Sequence, residues 1–398
     1  MEKLFKSIPE ASREISEKII RHRRAIHSYA EIGFDTHKTR EYISRQLEDL
    51  GLTPISVGRG GIKAYIGDEK CKTVLLRADI DALPMREESG VPFAAKNGNM
   101  HACGHDLHAA MLLGAADILS KNTDKIRGRI ILCFESAEET LEGAKDMIDA
   151  GLLSENIDAA IMLHTIAATD FQCGYTIVSS AGIGAPSSDF FRISVHGKSA
   201  HGSTAHLGKN ALVAAARILL SIEDLPAREF SISDDVVLTV GMLNSGTASN
   251  ITPNLAELFG TFRAYDASVR DRIFERVVEI SHGMAEIFGC SAEVKITSSC
   301  PPLMNNSVVS DKVYNAVSVM LGKDAVALSS SLGKRGGGSE DFAYISQKVP
   351  SVMIALSAGS RKDGYNVPIH NSKTRFDESV LTTGTAIYAA SALACLDK

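Results

Sequence analysis

No stretch of these 398 residues stays apolar for the roughly 18–20 positions that a membrane-spanning helix needs, so no membrane role is expected. Basic residues are not in excess. Lys and Arg number 42 against 48 Asp and Glu, a formal charge of −6, and without a basic stripe no nucleic-acid partner is expected. Cysteine pairs are missing too. The seven cysteines, at 71, 103, 133, 173, 290, 300 and 395, are odd in number, scattered and without a Cys-x-x-Cys. That usage speaks against a disulfide framework and against a closed zinc site built on paired cysteines. The first residues, Met1-Glu-Lys-Leu-Phe-Lys6, lead into a charged amphipathic pattern in place of a signal-peptide core, so the expected compartment is the reducing cytoplasm. Internal repeats, low-complexity segments and the His-Glu-x-x-His helix of many metalloproteases are all absent.

What is there is an α/β pattern long enough for two domains. A helical region from Ile8 to Leu50, broken near Ala30–Gly33, precedes short apolar strands at Ile62–Ile66 and Thr73–Arg77. A helix from Asp106 to about Ser120 follows, then strands Arg129–Phe134 and Ala159–Leu163. Strands alternating with helices predict a mostly parallel sheet flanked by helices, with polar residues at the strand ends. From about residue 185 the order becomes β-α-β-β-α-β: Asp189–His196, Asn210–Glu223, Val236–Leu243, Leu255–Tyr265, Ala267–Phe288 and Ala292–Thr297. That is the ferredoxin-like split unit. The partition expected is a discontinuous α/β domain over 1–184 and 298–398, closing with a helix from about Glu378 to Leu396, and an inserted α+β domain over 185–297.

The densest chemistry is the run His101-Ala-Cys103-Gly-His105-Asp106-Leu-His108, three imidazoles, a thiol and a carboxylate directly before a helix. Such a set on one turn points to a transition metal. The acidic turn Ser136-Ala-Glu138-Glu139 and His164 each follow a predicted strand, and His370 lies in a polar loop before the last helix. Strand ends of an open α/β sheet share one rim, so these residues can converge with Cys103 and His105. Five candidate ligands and a spare carboxylate suit an open two-metal hydrolytic site. Of the adjacent Glu138 and Glu139, one can bind metal while the other faces substrate as a general base. The glycine turn Gly336-Gly-Gly338-Ser339-Glu-Asp341 offers backbone N–H groups to an anionic ligand. His22, His27, His37 and His282 lie in charged, helical surroundings and read as solvated.

The run Met100–His108 resembles the signature of the M20 metallopeptidase clan, in its amidohydrolase branch, which includes hippurate hydrolases, N-acyl-amino-acid deacetylases, indole-acetyl-amino-acid hydrolases and related carboxypeptidases. Further motifs follow in family order: Arg77–Pro84, Phe134–Glu139, Leu163-His164, Lys198–Ser203, Gly246–Pro253, Gly260–Arg263 and Gly338–Phe342. The resemblance implies a di-metal aminopeptidase-like domain with an inserted ferredoxin-like lid through which a homodimer forms. It assigns Cys103, His105, Glu139, His164 and His370 to two divalent metals. Glu138 becomes the general base and Asp79 an orienting group, while Arg77 stands where related enzymes carry a histidine ligand. His201 is implied at the scissile carbonyl, and Asn250, Arg263, Gly338 and Ser339 in substrate binding. A thiolate with three imidazoles favours zinc, nickel, cobalt or manganese over calcium or magnesium.

Departures from the family pattern fall at Ala30, Glu135-Ser136, Ala205 and Thr165–Thr169. They touch pocket walls and lid and leave every implied ligand and the base in place. The expected activity is metal-dependent hydrolysis of N-acyl amino acids. The alternatives are a carboxypeptidase or dipeptidase on the same machinery, a metal-binding interaction protein without catalysis, and a thiol enzyme using Cys103.

Overall fold

The computed structural model describes residues 2–68, 71–332 and 338–397. The chain divides into two compact units, one from the described residues of Met1–Gly184, Met304–Gly336 and Asp341–Lys398, the other from those of Ala185–Leu303 and Gly337–Glu340.

The first unit is built on an eight-stranded sheet with four parallel strands at its centre, in the order Arg129–Glu135, Thr73–Asp79, Ala159–Ile166 and Ser351–Ser357. Their sequences are near-continuous β-branched and aliphatic runs because helices cover both faces of such a sheet. All seven residues of Thr73–Asp79 are buried, including Arg77 and Asp79. Parallel strands deliver their carboxyl ends to one rim, and Asp79, Glu135 and His164 arrive there together.

The helix His105–Ser120 is rich in Ala and Leu and is buried from His105 through Leu119. A helix apolar on all sides belongs inside a core. Val380–Leu396 is of the same kind and packs against it. Their close approach depends on Gly384, where a Cβ would fall 1.8 Å from the Met111 sulfur. The expected N-terminal helical region resolves into Glu2–Glu14, Ser16–Tyr29 and His37–Asp49, and the break after Tyr29 is a left-handed Ala30 with φ 37°.

The second unit has an antiparallel sheet in the order Val237–Ser245, Leu255–Arg263, Ser188–His196, Ser291–Cys300, with helices Ala211–Glu223 and Ala267–Ile287. Its elements follow the β-α-β-β-α-β order. Phe191, Ile193, Ile218, Leu258, Phe262 and Ile273 form a core of its own. Residue 297 lies within the last strand, which stays paired until Cys300 meets Ser188. Among the described residues, no helix is long and apolar enough to cross a membrane.

One side chain binds the last helix to the central strands. The buried Tyr388 hydroxyl donates to Arg77 O at 2.7 Å and accepts from Leu163 N at 3.3 Å. Tyr388→Phe leaves two buried backbone groups short of a partner, and urea unfolding should record a loss of about 1–3 kcal/mol.

Candidate metal centre

The turn before the His105 helix works only with glycine at 104. Its φ is 97°, and a Cβ there would fall 2.3 Å from Thr165 Oγ1. Cys103 and His105 therefore come from either side of a tight bend. Cys103 Sγ lies 3.4 Å from His164 Nε2 and 3.3 Å from His370 Nε2. The segment carrying His370 is docked through His370 N to Ala102 O at 3.0 Å, and His370 itself has φ 61°. Its Nε2 is 3.5 Å from Glu139 Oε1. Ala137, directly before the acidic pair, is also left-handed at φ 65°. Asp81 fixes that pair by accepting Glu138 N at 3.1 Å and Glu139 N at 3.3 Å. Such backbone strain, about 1–3 kcal/mol per residue, persists only where the surroundings over-determine it, and functional sites are where it gathers.

Donor atoms of Cys103, His105 and His164 all lie within 4.8 Å of one another, and so do those of Cys103, Glu139 and His370. A third such group is His105, Glu138 and Glu139. Cys103 is common to the first two. The second unit holds the other candidates. There, His201 Nδ1 meets Ser203 Oγ at 2.8 Å, and Gly202 N donates to Asn250 O at 2.7 Å, so His201 and Asn250 are neighbours. Arg263 Nη1 donates to Ser339 Oγ at 2.8 Å, which in turn donates to Pro186 O at 3.0 Å. Gly338 has open space around its Cα. The start of the glycine turn, Gly336-Gly337, lies outside the described residues.

Behind the donors stands a buried ionic group. Arg77 donates to Asp79 Oδ2 at 2.7 Å, to both oxygens of Glu135 at 3.1 and 2.8 Å, and to Asp341 Oδ1 at 2.7 Å. The four side chains of this group are buried. Burial works to raise the Asp79 carboxyl, but His105, His108 and Arg77 hold it well below the usual range. Burial and the neighbouring Glu135 push Asp341 the other way, well above it.

The network fixes tautomers further along. His108 Nε2 accepts Thr165 N at 2.8 Å, so its proton sits on Nδ1 and goes to Asp79 Oδ1 at 2.6 Å. His164 Nδ1 donates to Thr165 O at 2.8 Å, which leaves the Nε2 lone pair facing Cys103. That is how metal-ligating imidazoles are prepared. Burial and then His108 pull the His164 pKa down to about 3, so the ring is neutral.

The residues fit divalent metal. Both ring nitrogens of the buried His105 lack a hydrogen-bond partner among the described residues. Its Nε2 faces Asp79, Glu138 and Glu139 at 3.8, 3.8 and 3.9 Å. Burial works against a charge on His105, yet Asp79 raises it well above its ordinary value. With carboxylates this dense, a cation belongs among them. Burial pushes the Cys103 thiol up, so without metal it is a poor nucleophile, which argues against the thiol-enzyme alternative.

Several residues were misread or passed over in the sequence. His22 and His27 are buried, not solvated, because helix Ser16–Tyr29 turns both toward the core. Glu135 and Asp341 escaped notice as partners of Arg77. The available signal was an arginine inside a run of aliphatic strand residues, which demands buried carboxylates somewhere. Arg77→Leu strands three of them, and the free energy of unfolding in urea should fall by about 3–5 kcal/mol.

The profile of "Peptidase family M20/M25/M40" matches residues 75–394. Thermostable carboxypeptidase 1 of Saccharolobus solfataricus is 34% identical, over 97% of this chain and 97% of its own length. N-acetyl-L-cysteine deacetylase of Bacillus subtilis is 31% identical, over 96% of this chain and 89% of its own. Among solved structures, the Bacillus subtilis YXEP protein, a dinuclear metal binding peptidase from the M20 family, aligns with a TM-score of 0.78 at 27% identity, covering 96% of this chain and 98% of that one.

Proposed function

The chain belongs to peptidase family M20/M25/M40, and from that membership we propose that it hydrolyses the amide bond of N-acyl amino acids, releasing a carboxylic acid and a free amino acid. The observation that carries the reading is the pair of donor groups sharing Cys103, with Glu138 beside them. Cys103, His105 and His164 would hold one divalent ion, and Cys103, Glu139 and His370 the other. Bound there, the ions supply Lewis acidity at the scissile carbonyl and a water acidic enough to lose its proton near neutral pH. Zinc, manganese, nickel or cobalt suits the donor set.

Glu138 is the general base in this reading. It takes the water proton and returns it to the departing amine. Asp79 orients the centre through His108 and stays ionised while doing so. His201 we assign to hydrogen bonding the oxyanion, and Arg263, with Asn250, Gly338 and Ser339, to the substrate, Arg263 through the carboxylate. Glu138→Gln should lower kcat by about 100- to 10,000-fold while metal content stays at the wild-type level. Unchanged turnover would remove Glu138 from the mechanism. Chelation should abolish activity and added metal restore it.

A carboxypeptidase acting through the same residues is the second reading, favoured by the 34% identity to thermostable carboxypeptidase 1. Assay of N-acetyl amino acids, benzoylglycine and free dipeptides with metal-reconstituted protein separates the two. Faster turnover of the dipeptides would decide for the carboxypeptidase.

We further propose a homodimer formed through the second unit. Strand Val237–Ser245 lies at the edge of its sheet, with Val237 and Met242 exposed. An apolar edge strand of this kind is a pairing surface. Sedimentation should give the mass of two chains, and Met242→Lys should shift it toward one; a wild-type mass of one chain would refute the dimer.

A further inference from the structure

A second buried ionic cluster borders the 101–106 turn and has no part in the reaction proposed above. Its centre is His27, on helix Ser16–Tyr29 and 3% exposed. Nδ1 lies 2.8 Å from Asp106 Oδ2, and Nε2 lies 3.1 Å from both oxygens of Glu87. The side chains of Asp106 and Glu87 are both fully buried. An ionised carboxylate only accepts, and a neutral imidazole has a single N–H, so it can satisfy one of these partners and not both. The geometry asks for the doubly protonated ring.

The neighbours permit that charge. Arg23 Nε reaches Asp106 Oδ2 at 3.0 Å and so competes with the ring for one carboxylate. The His101 ring lies 5.9 Å away by centroid. Phe93 meets the His27 ring edge-on and takes Arg23 and Arg24 against its face. Both arginines also reach Glu378. Burial opposes a charge on His27, but Asp106 and Glu87 outweigh it and raise the ring to about 9.

Three metal-donor segments are tied to this ring. Asp106 is in the first turn of the helix that His105 begins. Glu87 anchors the irregular segment between Leu83 and Met100, whose ends pair with each other and whose Ala95 N donates to Glu87 Oε2 at 2.8 Å. In that segment Glu88 N donates to Ser372 O at 2.7 Å and Glu88 Oε2 accepts from Ser372 Oγ at 3.2 Å, two residues beyond His370. His370 N in turn holds Ala102 O, next to Cys103.

We propose that His27 is a positioning residue of the metal centre, joining the Glu87 segment to the start of the His105 helix and so holding the Cys103 turn and the His370 segment at their working separation. The inference rests on the reading that Cys103, His105 and His370 bind metal. It concerns a ring that touches none of them.

The test is titration of metal-free protein with Co2+, read by the absorption of its thiolate and d–d bands below the unfolding temperature of every variant. Removal of partners behind metal ligands costs about 10- to 100-fold in affinity, and that weakening, with an altered spectrum, is expected of folded His27→Gln. Glu87→Ala removes both the partner of Nε2 and the acceptor of Ala95 N and should weaken binding in the same direction. The double variant His27→Gln/Glu87→Gln pairs two amides that can each donate and accept, and should recover most of the lost affinity. Wild-type affinity and spectrum in either folded single variant would overturn the proposal, since a purely structural residue would alter only the unfolding temperature. Wild-type protein that binds no Co2+ would instead overturn the metal reading itself.

Discussion

A guanidinium cut off from water keeps its charge only inside a shell of carboxylates, and Arg77 sits in the middle of the parallel sheet with Asp79, Glu135 and Asp341 around it. The consequences spread outward in one direction. Asp79, fixed by Arg77, can only accept, so His108 must present its proton there. His108 then has a lone pair left for Thr165, and the Thr165 carbonyl takes the proton of His164. The free lone pair of His164 is thus decided several bonds away from Cys103, by an arginine set back behind Asp79.

The same burial explains the electrostatic character of the centre. Asp79, Asp81, Glu138 and Glu139 surround one imidazole, and the guanidinium bonded to Asp79 is already shared with Glu135 and Asp341. His105 answers by holding a proton more tightly than a free histidine does. A divalent ion would release that proton, so metal affinity and proton affinity compete at one ring. Rigidity keeps the competition sharp: left-handed Ala137 and His370 show the backbone bent to its donors, where a relaxed chain would let them drift apart.

Much of this was legible in the sequence, and the reason is local. The parallel strands announce themselves as aliphatic runs, the His105 helix as an Ala- and Leu-rich stretch behind Gly104, and the β-α-β-β-α-β segment by its alternating periods. Cys103, His105, Glu139 and His164 stand out as candidates because they lie beside strand or helix ends, whereas His370 comes from a loop ten residues before the last helix. What stayed hidden depends on pairing between distant segments. Nothing near Glu135 signals Arg77, and Asp341 looks like the tail of a glycine turn. His27 reads as one more charged helix residue until the fold turns it toward Asp106 and Glu87. Buried ion pairs leave no periodicity, so only the fold can reveal them.

Asp341 also says something about how the chain is assembled. It is the first residue of the first unit after the chain's last excursion into the second, and it is bonded at once on both sides, to Arg77 and to Ala144 N at 2.9 Å. The two residues before it are held as well: Ser339 bonds to Arg263 and Pro186, and the Glu340 carbonyl accepts from Cys300 Sγ at 3.2 Å. At Asp341 the frame is locked, and a shift by one residue would put a different side chain into the Arg77 shell. Anyone transplanting or trimming the inserted unit has a splice site whose downstream edge is set by a buried salt bridge.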